Sequence, residues 1–157
     1  DELLNIPLQA PYPPQKNYTT PGSPTPGTDP DHNLATGDPW INNYTNDGGV
    51  NGQRRNSYKA WWLGLMAGQQ RTIFEKMVVF WHNHFATEAV DVGIGIGLYK
   101  YQSNIRQYAL GNFKTLVKAI TLDPAMLRYL NGERNNKNSP DENYARELQE
   151  LFTLGKV

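Results

Sequence analysis

Nine of the eleven prolines fall within residues 1–50, and only Pro124 and Pro140 lie beyond them. Proline fixes φ, removes a backbone donor and pushes the preceding residue out of the helical region. With PYPP at 11–14 and PGSPTPGTDPD at 21–31, the first fifty residues read as irregular or polyproline-like coil. Two readings of this arm stay open. It is either a linker, or a segment laid across the surface and held there by Tyr12, Tyr18, Trp40, Ile41 and Tyr44. Asn17-Tyr18-Thr19 and Asn43-Tyr44-Thr45 fit the glycosylation triplet, a match short enough to arise by chance.

From about Ser57 the pattern becomes helical. Ser57 to Ala67 is apolar over much of its circumference and stops at Gly68. Thr72 and Glu75 have capping-box spacing and open a second helix running towards His84 or Phe85. Leu98–Leu110 and Phe113–Thr121 follow, the former stopped by Gly111. Asp123-Pro124 supplies an N-cap and a first-turn proline for a short helix ending at Asn131-Gly132. Ser139-Pro140-Asp141-Glu142 repeats that logic for a last helix closed by Gly155. No alternating strand pattern appears. The expected fold is all-α, an irregular helical bundle (51–157) with a Pro- and Gly-rich, coil-like N-terminal arm or insertion (1–50).

At 157 residues one ordinary domain with its own core is expected. Net charge is zero but divided, about −5 over 1–50 (one basic, six acidic) and +5 over 51–157 (fourteen basic, nine acidic). That division favours contact between the halves at short range. No Lys/Arg cluster is dense enough for a nucleic-acid footprint. The absence of cysteine excludes disulfides, thiolate catalysis and cysteine-containing zinc sites. No apolar run approaches the ~20 residues that span a bilayer. No charged-then-apolar signal opens the chain, which reads as a trimmed or mature start.

Candidate chemistry lies in two segments, FWHNHFAT at 80–87 and SPDENYARELQELFTLG at 139–155. On a regular helix His82 and His84 point ~200° apart and cannot share an ion. A metal site on this pair would need the helix to stop near Trp81, so the histidines read first as structural groups bonded to neighbouring helices. His84 falls inside the apolar arc of its helix, and His82 lies on the far side with Glu75. In the last helix Glu147 points between Leu151 and Leu154, Asn143 sits one turn earlier, and Arg146 and Glu150 face outward as a surface pair. A carboxylate on an apolar flank must pair, hydrogen-bond or take up a proton. Glu147 is therefore expected to meet His84 or an arginine such as Arg54 or Arg55, against the alternative that it edges the interface and reaches water.

Other signals are weaker. Gly93-Ile-Gly-Ile-Gly97 precedes a helix but lacks a βαβ context and a following Lys-Ser/Thr, so a flexible turn is favoured over a phosphate cradle. No nucleophile elbow exists. Trp61-Trp62 reads as core before it reads as a sugar-stacking platform, and Arg54-Arg55 as solvated charge before an anion site.

These residues resemble the bacterial domain-of-unknown-function family 1800. The likeness is carried by Arg54-Arg55 leading into Trp61-Trp62, then Glu75-Lys76-Met77 with FWHNHFAT. ALGNFKTLVKAITLDPAML at 109–127 and SPDENYARELQELFTLG complete it. It covers roughly residues 50–157 and implies an inner portion of a larger, mostly helical protein of the kind often exported from the bacterial cell. A pocket lined by Trp81, His82, His84, Asn143 and Glu147 would then be completed by segments outside this chain. Asn83 stands where other members often have glycine. The resemblance supplies no reaction, substrate or cofactor.

The favoured expectation is a secreted binding or assembly module with a buried His/Glu seam and a protein or glycan partner outside the cytoplasm. A hydrolase-type enzyme is the first alternative, with Glu147 and His84 or His82 as an acid–base pair and Asn143 beside them. A metal-binding protein, with His82 and His84 as ligands, is the second. No cofactor, nucleic acid or transmembrane segment is expected.

Overall fold

In the computed structural model, residues 2–4, 10–19, 31–140 and 142–155 are described. Among them the secondary structure is helical, with two isolated antiparallel bridges, Gln15–Pro39 and Asn136–Ser139. The helices are α1 (Gly48–Gly68), α2 (Phe74–His84), α3 (Ala89–Val92), α4 (Gly95–Tyr108), α5 (Phe113–Thr121), α6 (Pro124–Tyr129) and α7 (Asn143–Glu150). Short 3-10 turns lie at Glu2–Leu4 and Gly132–Arg134. The all-α expectation holds.

Helices start where a side chain can satisfy their first amides. Asp47 accepts from the Val50 amide at 2.8 Å, Asn112 from Thr115 at 3.3 Å, and Asp123 from Ala125 at 2.8 Å with Pro124 in the first turn. Three starts differ from expectation, and α3 is a further element that the sequence pattern does not announce; α4 begins at Gly95, three residues before Leu98. The first helix begins at Gly48, nine residues before Ser57, because Asp47 caps it and Val50, Asn51 and Arg54 are all buried. The last helix begins at Asn143 without a side-chain cap. Its expected launch at Ser139 is occupied otherwise, since the Asn136 side chain accepts from the Asn138 and Ser139 amides.

The chain forms two compact units. The first contains residues 1–76 and 93–100. In it the described arm lies along α1. Trp40 is fully buried and donates from Nε1 to Ser57 Oγ at 3.0 Å, and Ser57 donates to the Gln15 carbonyl at 2.5 Å. The glycine-rich segment packs here too. Gly93 adopts a left-handed turn, φ 73°, and its carbonyl accepts from Arg55. Gly95 donates its amide to Asn51 Oδ1 at 2.9 Å, and a Cβ there would lie 2.7 Å from Arg54 Cβ. These glycines serve close packing on α1, and Gly95 and Gly97 are already helical.

The second unit contains residues 77–92 and 101–157. Val78, Phe85, Ile105, Leu116, Ile120 and Met126 are nearly inaccessible and form its core. α6 packs on α3, α5 and the Gly132–Arg134 turn. Trp81 Nε1 ties α2 to the Ala109 carbonyl at 2.8 Å, and the Tyr144 hydroxyl ties α7 to the Thr121 carbonyl at 2.6 Å.

Candidate functional site

The two histidines sit in the last turn of α2, within the second unit, and point in different directions as a regular helix requires. His84 is half-buried and donates from Nε2 to the Phe152 carbonyl at 2.9 Å. A carbonyl oxygen only accepts, so this bond places a proton on Nε2. The His84 ring stands edge-on to Phe85 (4.7 Å), Trp81 (5.8 Å) and Phe113 (6.2 Å). Trp81 in turn stacks on Phe113 at 5.5 Å, and Phe85 meets Phe152 at 5.5 Å. Each such ring pair adds roughly 0.5–1.5 kcal/mol beyond its buried area. The histidine thus fastens the chain just past α7 into an aromatic cluster.

His82 lies against the Tyr101 ring, with centroids 5.8 Å apart. Burial opposes its charged form and lowers its pKa below the ordinary value of 6.5. Tyr101 donates its hydroxyl to the Phe85 carbonyl, holding the ring that His82 packs on.

Asn143 and Glu147 are placed differently from the expected seam. Glu147 is partly exposed and pairs at 3.5 Å with Arg146 Nη2, which also donates to Asn143 Oδ1 at 2.9 Å. Arg146 reaches Glu142 as well, at 3.7 Å, in place of the expected Glu150. Arg146, Glu147 and Asn143 bond one another at the surface of α7, and His84 meets a main-chain carbonyl beyond its end, not a carboxylate. Leu151 and Leu154, expected to bury Glu147 between them, are 61 % and 79 % exposed, which leaves the carboxylate in reach of water. Among the described residues, no group of three or more His, Cys, Asp or Glu side chains is placed to hold a metal ion.

Among the described residues, a fully buried charge cluster went unrecognised in the sequence, where Arg54 read as solvated charge. Arg54 and Asp31, both in the first unit and both inaccessible, form a two-pronged pair, Nε to Oδ2 at 2.8 Å and Nη2 to Oδ1 at 2.5 Å. Tyr18 donates its hydroxyl to Asp31 Oδ2 at 2.5 Å, and Lys16 Nζ donates to the Asp31 and Leu34 carbonyls. Burial, reinforced by the Asp31 carboxylate, pushes the Tyr18 hydroxyl pKa far up and keeps it a donor. Arg54 also stacks over Trp40 at 5.5 Å. The signal that foreshadowed this cluster was the charge division between the acidic arm and the basic remainder.

No curated protein and no solved structure matches this chain. The family described as "Protein of unknown function (DUF1800)" matches residues 8–157. That span exceeds the expected resemblance over roughly 50–157 and takes in most of the Pro-rich arm. With nearly its whole length matched, the chain belongs to the DUF1800 family.

Proposed function

We propose that this chain is a binding or assembly module in which the histidines are structural. The observation that carries this reading is the His84 Nε2 bond to the Phe152 carbonyl inside an aromatic cluster. A general base needs a free nitrogen lone pair aimed at substrate and, commonly, a carboxylate behind it. With His84 Nε2 protonated and committed to main chain, only Nδ1 keeps a lone pair, and the carboxylate expected to stand behind the ring, Glu147, pairs with Arg146 instead. His84 supplies a donor to the Phe152 carbonyl, two residues beyond the end of α7. The resemblance to exported proteins supports a place outside the cytoplasm, with a protein or glycan as partner.

A double-mutant cycle tests this. His84→Ala is expected to cost ~1–3 kcal/mol in urea unfolding through the lost bond and ring contacts. Glu147→Gln should cost under ~0.5 kcal/mol, and the double variant should be additive within that margin. A coupling energy well above this margin would restore a Glu147–His84 pair and sink the clasp.

A further inference from the structure

Gln53, Ser57, Trp61 and Leu65 recur every four residues along α1 and form one stripe ~18 Å long. Beside it runs the arm from Tyr12 to Thr19, and two adjoining depressions open between them. One, of about 490 Å³, has Tyr12, Asn17, Trp61 and Leu65 among its walls. The other, of about 460 Å³, is bounded by Asn17, Tyr18, Thr36 and Gln53. They share Asn17 and lie wholly within the first unit. Both volumes suit a small-molecule or chain ligand.

The walls are fixed before anything binds. Trp61 donates from Nε1 to the Tyr12 carbonyl at 2.6 Å, and its ring meets Tyr99 edge-on at 5.6 Å and Tyr58 at 6.0 Å. Tyr12 leaves 63 % of its surface open to solvent. On the arm, Lys16 N donates to the Asp38 carbonyl at 2.8 Å and Lys16 O accepts from Gly37 N at 2.9 Å. The Gln15 carbonyl already accepts from Ser57. A peptide adding as a strand at 15–16 finds these main-chain groups taken.

Every described residue lining the two depressions is uncharged. Anions and cations gain no counter-charge from these residues. Apart from the Ser57 and Tyr18 hydroxyls, which are already bonded, the polar set includes the amides of Asn17 and Gln53 and the hydroxyls of Tyr12, Thr19 and Thr36, each able to donate and accept, beside aromatic rings whose faces are electron-rich. Sugar hydroxyls need the first property and the C–H faces of pyranose rings need the second. Two depressions that meet at Asn17 along one helix row suit an extended chain.

We propose that this groove binds a neutral, extended β-linked oligosaccharide. Tyr12 and Trp61 offer ring faces to the sugar, and Asn17 and Gln53 bond its hydroxyls. The proposal gives the binding-module reading a ligand class, and rests on it.

The test is calorimetric titration of the full chain with cellohexaose and with chitohexaose. At least one should saturate, and Tyr12→Ala and Asn17→Ala should each weaken it about fivefold or more without moving the thermal midpoint. Both substitutions remove exposed side chains. No saturation by either sugar up to roughly 10 mM overturns the proposal. So does saturation that both variants leave unchanged. Saturation by a neutral hexapeptide instead, abolished by Tyr12→Ala, would reassign the groove to peptide and overturn it equally. Chromatography of the recovered sugar separates the two readings. Shortened chains would sink the non-catalytic module and leave the groove standing, while a failure to bind leaves the His84 clasp to its own double-mutant cycle.

Discussion

Asp31 takes both prongs of Arg54 and the Tyr18 hydroxyl in charge-assisted bonds. Pairs so completely buried are weak sources of net stability but costly to break, because one partner is left charged in a poor solvent. Asp31→Asn is therefore expected to destabilise the protein by ~3–5 kcal/mol in urea unfolding. Asp31→Leu combined with Arg54→Met should cost clearly less than Asp31→Asn alone, since neither member of the pair is then left charged without its partner. His82 makes a second prediction at this scale. Its native pKa is lowered by burial, so the unfolded chain takes up a proton near pH 6.5 that the folded chain refuses. Stability is unaffected by this group above that pH and falls as pH drops below it, by at most ~1.4 kcal/mol per pH unit for one proton. Comparing His82→Phe with the parent by thermal unfolding between roughly pH 5 and 7 should show a flatter slope in the variant. Identical slopes would mean that His82 titrates alike in both states.

The elements show where local rules suffice. α5 and α6 were legible because Asn112 and Asp123-Pro124 cap them with their own side chains. The first two turns of α1 were not, because Gly48, Gly49 and Gly52 each weigh against a helix by about 1 kcal/mol. Tertiary burial of Val50, Asn51 and Arg54 outweighs that local cost. The start at Ser139 was overestimated for the converse reason, a satisfactory cap sequence whose amides found Asn136 first. Within the candidate site, the opposed directions of His82 and His84 follow from helical geometry alone. The partner of Glu147 did not, since a wheel gives direction but not the distance to the next helix. Gly95 puts a number on the α1–α4 approach within the first unit. Gly95→Ala would set a Cβ 2.7 Å from Arg54 Cβ, and is expected to cost ~1–3 kcal/mol despite the better helix propensity of alanine. A gain in thermal midpoint would show that Arg54 can move aside.

At the scale of the molecule, the arm's status turns on how its backbone is bonded. A linker would leave its amides to water, whereas Lys16, Gly37 and Asp38 donate theirs to main-chain carbonyls. Trp40, with no accessible surface, could not be buried at all if the arm were loose. Among the described residues the acidic arm and the basic helix therefore meet through a desolvated pair, Asp31 and Arg54, and charges spread over the surface add little at physiological salt. Arm and α1 should then open together as one cooperative unit. In native-state hydrogen exchange, the Lys16 and Gly37 amides are expected to show opening free energies within about 1 kcal/mol of buried α1 amides such as Arg54 and Tyr58. A destabilising Asp31→Asn substitution should lower both sets by the same amount. If the arm amides exchanged at unprotected rates while α1 stayed protected, the arm would be bound only loosely, and the groove between Tyr12 and Trp61 would have no fixed wall.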